Sequence, residues 1–252
     1  MAGLLPLCFL SAAGMCPGWR CGESSSSMAG WTVARSVPLG LGVLLTSVVI
    51  RAAWLAWRAR RIEAQLRSGP MPGVRTASAR RRVGGRAQLT DVEHIAVCTG
   101  VRRPRVYVSL DVVESLDDEE LSAVLLHERR HAVRRDPLRR LLRNSLADVL
   151  WFAPAVGWWA ERRIGRDEVA ADAHAVEKVG ARPVAAALLK LEPSPGARFA
   201  GAAYGDAATA RVGRLLGDPD QAGRLPTRLL LRTVLGAGVT VVLMVCLASL
   251  TG

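Results

Sequence analysis

The chain has 252 residues, enough for one sizeable core and a few membrane segments but not for two large independent domains. Half of it is apolar while 22% is charged, a mixture that suits apolar residues concentrated in lipid better than an evenly soluble globule. The formal net charge is +12, carried almost wholly by arginine. No basic helix interleaved with aromatics and no zinc-finger spacing accompanies it, which argues against nucleic acid and for anionic lipid or a cytoplasmic membrane face.

Residues 1–36 hold a short apolar run, Leu4–Met15, with no positive residue ahead of it. It reads as a partial span or as a segment preceding a start at Met28. The five cysteines, Cys8, Cys16, Cys21, Cys98 and Cys246, are scattered without metal-ligand spacing. Cys16 and Cys21 would bridge only if they faced an oxidising compartment. Residues 37–57 form the first clear span. It is interrupted by Arg51, close enough to the end to snorkel, and closed by Trp54 and Trp57 at an interface-like end. Residues 58–88 are expected as a basic linker, in which 68–86, rich in Gly, Pro, Ser and Arg, reads as a flexible loop. Residues 89–228 form the central domain, and 229–250 a second span with Arg232 near its entrance. Nineteen arginines lie between Arg58 and Arg143, against two in residues 1–36 and none after Arg232. The arginine bias places the central domain in the cytoplasm of a multi-pass membrane protein.

Within that domain Ser115 and Asp118 resemble a capping box opening a helix through Leu121, Val124 and Leu125, which Pro137 ends. The helix carries His127-Glu128-Arg129-Arg130-His131. An i, i+4 spacing puts both imidazoles on one face, where they reach a single metal ion. Glu128 lies beside that face, placed to act as a base on water whose pKa a zinc ion lowers from ~16 toward ~7. A catalytic zinc needs a third protein ligand. Residues 158–179 read as a helix stopped by Gly180, on which Glu168 and Asp172 again share a face. Glu168 as ligand, with Asp172 orienting a histidine, fits that geometry, and His174 is the rival ligand. His94 reads as a surface or strand histidine. Asp136 reads as a residue that helps end the helix and pairs with Arg134 or Arg135. Tyr204 and Arg211 are candidate oxyanion donors that no spacing compels. The stretch Leu146–Ala160, interrupted by Asp148 and Pro154, is too short for an ordinary span and reads as a buried or interfacial hairpin.

Val106-Tyr107-Val108-Ser109, Glu119-Glu120-Leu121, the HERRH run followed by Arg135-Asp136-Pro137, Trp151–Trp159, and Arg166 to Asp172 together resemble the BlaR/MecR-type antirepressor membrane metallopeptidases. These are family 56 of the metallopeptidases. The match covers roughly residues 90–215. The resemblance implies a gluzincin-like site with Glu168 as third zinc ligand and Asp172 supporting it. It also implies that Val106, Tyr107 and Val108 lie on an edge strand that binds substrate by strand addition. The family usually has more spans before the peptidase domain, and its best-known members carry an extracellular beta-lactam sensor after the last one. Such a sensor is not expected here, so antibiotic sensing is not carried over.

The expected molecule is therefore mainly α with a small edge β-sheet, a zincin-like metallopeptidase domain flanked by transmembrane helices. His127, His131 and Glu168 would hold Zn2+ and Glu128 would be the catalytic base. The expected activity is hydrolysis of a cytoplasmic or membrane-proximal protein, such as a transcriptional repressor. The alternatives are a quality-control protease of the HtpX type and a non-catalytic membrane scaffold, against which the intact Glu128 speaks. The expected partners are the protein substrate and the lipid bilayer, without direct contact to nucleic acid.

Overall fold

The computed structural model of the chain describes residues 25–67, 69, 73–191 and 225–250. The run Leu4–Met15, Cys8, Cys16, Cys21, Tyr204 and Arg211 lie outside them. In chain order the elements are α1 (Ser25–Arg67), α2 (Val74–Val83), β1 (Gln88–Thr90), β2 (Ala96–Thr99), β3 (Arg105–Ser109), α3 (Leu110–Ser115), α4 (Asp118–Arg134), α5 (Asp136–Val149), α6 (Pro154–Val179), α7 (Ala181–Lys190) and α8 (Thr227–Leu250). The chain is mainly helical with one three-stranded sheet, as its patterning leads one to expect.

It divides into two compact units. One takes in α1 up to Arg51, residues 145–158 and α8. Its two long helices are apolar enough to cross a bilayer, with mean hydropathy 1.9 over Pro38–Arg67 and 2.2 over Thr227–Cys246. Many of their leucines and valines face outward, as the residues of helices set in lipid do. Within the bilayer polar groups need partners from the helix itself. Ser47 donates to the Val43 carbonyl, Thr233 to that of Leu229 and Thr240 to that of Gly236. Gly40 lets α1 and α8 approach closely, since a Cβ there would come within 2.7 Å of Met244 Sδ.

The second unit comprises Ala52–Arg67 of α1, the elements from α2 through residue 144, and the chain from Trp159 onward through α7. Its sheet has the order β1-β3-β2, with β1 parallel and β2 antiparallel to β3. The edge assignment for Val106–Ser109 is therefore corrected: β3 is the central strand. Val106 is 6% exposed and Tyr107 and Val108 are fully buried. A strand paired on both sides and covered on both faces reads as a continuous apolar run rather than an alternating one. Val106 and Val108 join the cluster made with Ala79 and Val83 of α2, Val112 and Val113 of α3, Leu121, Val124 and Leu125 of α4, and Ala187 of α7. The Tyr107 hydroxyl turns instead toward Glu63 of α1, at 3.5 Å. β2 is an edge strand of this sheet among the described residues.

Three local expectations are also revised. Residues 74–83 are a helix rather than a flexible linker: Thr76, Ala79 and Val83 are buried, and Gly84, at φ 59°, caps it in the left-handed region only glycine enters freely. Its Arg82 is a staple, bonding Asp118 and the carbonyls of Val113 and Leu116. The capping box of α4 is Asp117 with Glu120, not Ser115 with Asp118. The Asp117 carboxylate accepts from Glu120 N–H at 2.8 Å, and Glu120 accepts from Asp117 N–H at 2.9 Å. Ser115 instead closes α3, donating to the Val112 carbonyl. Finally, Pro137 opens α5 rather than ending α4, its missing N–H costing nothing in a first turn. What ends α4 is Arg135, left-handed at φ 55°.

Candidate metal centre

The periodicity of α4 brings His127 and His131 onto one side, with Leu121, Val124 and Leu125 anchoring the helix in the core. Their Nε2 atoms face each other at 3.1 Å. α6 contributes Glu168, one carboxylate oxygen 3.5 Å from His127 Nε2 and the other 3.5 Å from His131 Nε2. Ligands at ~2.0–2.1 Å from a tetrahedral ion stand about 3.3 Å from one another, and one ligand atom from each of these three side chains lies within 4.8 Å of the others, close enough to converge on one ion. The donor set fits a metal ion. His174, the rival ligand, lies away from this cluster and turns to Glu177 at 3.8 Å.

Each of the three side chains is held from behind. Asp172, 4% exposed, accepts from His127 Nδ1 at 2.9 Å. Asp136, also 4% exposed, accepts from His131 Nδ1 at 2.9 Å. Both carboxylates fix the tautomer that leaves Nε2 with its lone pair toward the metal position. Arg140 donates to Glu168 Oε1 at 2.7 Å. Asp136 and Arg140, one turn apart at the start of α5, were not singled out by sequence as parts of the site. The available signal was the Asp five residues after His131, with the arginine one helical turn further on. Asp136 does not serve the role expected for it, pairing with Arg134 or Arg135, because the left-handed Arg135 turns the chain so that the next residue points back at His131.

Prediction follows from that geometry. Asp136→Ala should leave His131 free to rotate and weaken metal affinity ~10–100-fold, the usual cost of losing a partner that orients a ligand. Competition with a chelator of known affinity measures it, and an unchanged affinity would show that Asp136 is idle in ligation.

Electrostatics concentrates the negative charge where a cation would sit. Burial raises the Glu168 carboxyl, but the hydrogen bonds and charges of His127 and His131 outweigh it and hold the group far below the usual carboxylate range. For His131 burial works downward, and the partnership with Glu168, together with the Glu128 charge, prevails and raises it. Glu128 is pushed up by burial, partly offset by the two histidines and by a hydrogen bond from the Cys98 backbone N–H. The Cys98 thiol is pushed up to about 12 by burial and by the carboxylates of Glu128 and Asp136, so it stays protonated and inert. His94 sits on the surface in a left-handed turn, its Nδ1 2.8 Å from Asp111.

Glu128, His131 and Glu168 open onto a cavity of about 300 Å³, whose other walls include Val97–Val101 and, from α1, Leu55, Ala59 and Ile62. A family model described as BlaR1 peptidase M56 matches residues 34–208, most of the chain and all of this centre. The chain belongs to the BlaR1 peptidase M56 family. No curated protein matches it. Membership in M56 makes the chain a peptidase-family protein and, with its two candidate spans, a membrane protein. The grouping of His127, His131 and Glu168 is where an M56 peptidase of this sequence can hold its metal.

Proposed function

We propose that this M56 protein is a membrane-anchored zinc endopeptidase, with His127, His131 and Glu168 as metal ligands and Glu128 as general base. The observation that carries the reading is the convergence of two imidazole Nε2 atoms 3.1 Å apart, each 3.5 Å from one oxygen of the Glu168 carboxylate, with a carboxyl, Glu128, beside them on the cavity wall. Two nitrogens and one carboxylate suit zinc, which when bound supplies Lewis acidity to water and to the scissile carbonyl. The work of the protein's own residues is then distinct. Glu128 takes the proton of the attacking water and delivers it to the leaving amine nitrogen. Asp172, Asp136 and Arg140 hold the ligands in register.

Substrate pairing moves from β3 to β2. Ser109 N–H donates to the Ile95 carbonyl at 2.8 Å, and the register pairs Val97 with Tyr107. In an antiparallel ladder the bonded pairs alternate, so Ile95, Val97 and Thr99 turn their backbone groups inward and Ala96 and Cys98 turn theirs outward. The Cys98 N–H that reaches Glu128 is one of these outward groups. An extended peptide laid along Ala96 and Cys98 would therefore pass the base and the ligands, with specificity from the cavity.

The substrate class that fits is an extended segment of a cytoplasmic or membrane-proximal protein, a repressor in the manner of the resembled antirepressor proteases. Proteomes of cells carrying the wild-type chain and Glu128→Gln test this reading. A DNA-binding protein shortened only in the wild type supports it. Turnover confined to misfolded membrane proteins favours the quality-control reading, and identical proteomes favour the scaffold. The cytoplasmic placement rests on the arginine bias. In a background without native cysteines, Arg80→Cys, exposed on α2, should escape an impermeant thiol reagent in intact cells and react after lysis. Ready labelling of intact cells would put the peptidase outside.

A further inference from the structure

Two lone charges interrupt apolar stretches that lie far apart in sequence. Arg51 is the only charged residue of 37–57, and Asp148 is the only one of 146–158. In the structure they meet: Arg51 Nε and a terminal guanidinium nitrogen lie 2.8 and 2.7 Å from the same Asp148 oxygen. Arg51 therefore does not need to snorkel to water. A charge at membrane depth is costly unless it is paired, and each of these supplies the counter-charge of the other.

The segment between the arms, Leu150–Ala153, packs against α8. A Cβ on Gly236 would overlap the Phe152 carbonyl oxygen, so backbone meets backbone there. Ala155 N–H donates to Thr233 Oγ1 at 3.0 Å, one turn earlier on the same helix. Gly236 is the tenth residue of the apolar stretch Thr227–Cys246. Arg232 is the last charged residue of that stretch, so at 1.5 Å per residue Gly236 lies ~6 Å beyond it, within the apolar part of the helix. Backbone turns at that depth need internal partners. Leu150 N–H donates to Leu146, Ala153 to Leu150 and Val156 to Ala153. Trp151, at the tip, is 78% exposed.

We infer that residues 146–158 form a re-entrant hairpin whose tip enters the hydrocarbon of the bilayer, with Trp151 against acyl chains and Arg51–Asp148 as an ion pair inside the membrane. This rests on the reading of α8 as a span. The hairpin's arms are the ends of α5 and α6, the helices that also carry Asp136, Arg140, Glu168 and Asp172.

The test uses the full chain in liposomes, its native cysteines replaced, with a nitroxide label placed in turn at Trp151→Cys, Leu235→Cys and Glu177→Cys. Collision with oxygen, which favours lipid, is compared with collision with an aqueous nickel chelate. The label at 151 should match that at 235, the neighbour of Gly236, and show an oxygen-to-nickel ratio several-fold above that at 177. If 235 reports lipid while 151 matches 177, the hairpin lies in water and the inference is overturned with the span intact. If 235 also reports water, the span itself fails. Arg51→Asp or Asp148→Arg alone should move the label at 151 toward water, and the double swap should return it. A double swap that leaves the label where the single variants put it also overturns the paired-charge inference.

Discussion

Glu128→Gln should abolish nearly all peptide hydrolysis while leaving metal content unchanged. Glutamine keeps the size of the side chain and can still accept from the Cys98 N–H, but it cannot take a proton from water. Removing a general base typically costs on the order of 10²–10⁴ in rate. Glu128 stands outside the group of side chains whose donor atoms converge, so its loss does not empty the site. Single-turnover cleavage of a fluorogenic peptide together with zinc stoichiometry measures both halves. A variant that retains a tenth or more of the wild-type rate would show that the base lies elsewhere. One that loses its metal would show Glu128 to be a ligand, and either result defeats the mechanism.

Such variants could be named from sequence because the information they use is local. One α-helical period places His131 over His127 and Asp172 over Glu168, whatever the rest of the chain does. What the sequence concealed depends on contacts between distant segments. Val106–Val108 reads as a strand from its residues, but whether it is central or at an edge is decided by β1 and β2, of which the short polar β1 has little pattern to recognise. The arginines of 80–82 read as solvated until Arg82 meets Asp118 and two carbonyls more than thirty residues away. Asp136 became part of the site only through the left-handed turn at Arg135, a conformation an arginine does not advertise. Arg51 and Asp148 are separated by 97 positions, and each looks like a flaw in its own apolar stretch until the other is beside it.

Replacing the third ligand should separate ligands from their supports by what each variant does to the metal. Glu168→Ala should lose both zinc and activity, because two histidines alone leave a catalytic zinc one protein ligand short. The loss is compounded by Arg140, whose guanidinium, 2.7 Å from Glu168 Oε1, would lose that carboxylate and keep its positive charge beside the cation position. Asp172→Ala should fall between, with affinity weakened ~10–100-fold, since Asp172 fixes the tautomer of His127 without reaching the ion. His174→Ala should keep both metal and measurable turnover, because its ring turns to Glu177 and away from the converging donor atoms. Metal content after gel filtration, read beside initial rates, distinguishes the three. Should His174→Ala strip the zinc while Glu168→Ala retains it, the ligand triangle is misassigned at its third corner, and the proposed roles of Arg140 and Asp172 fall with it.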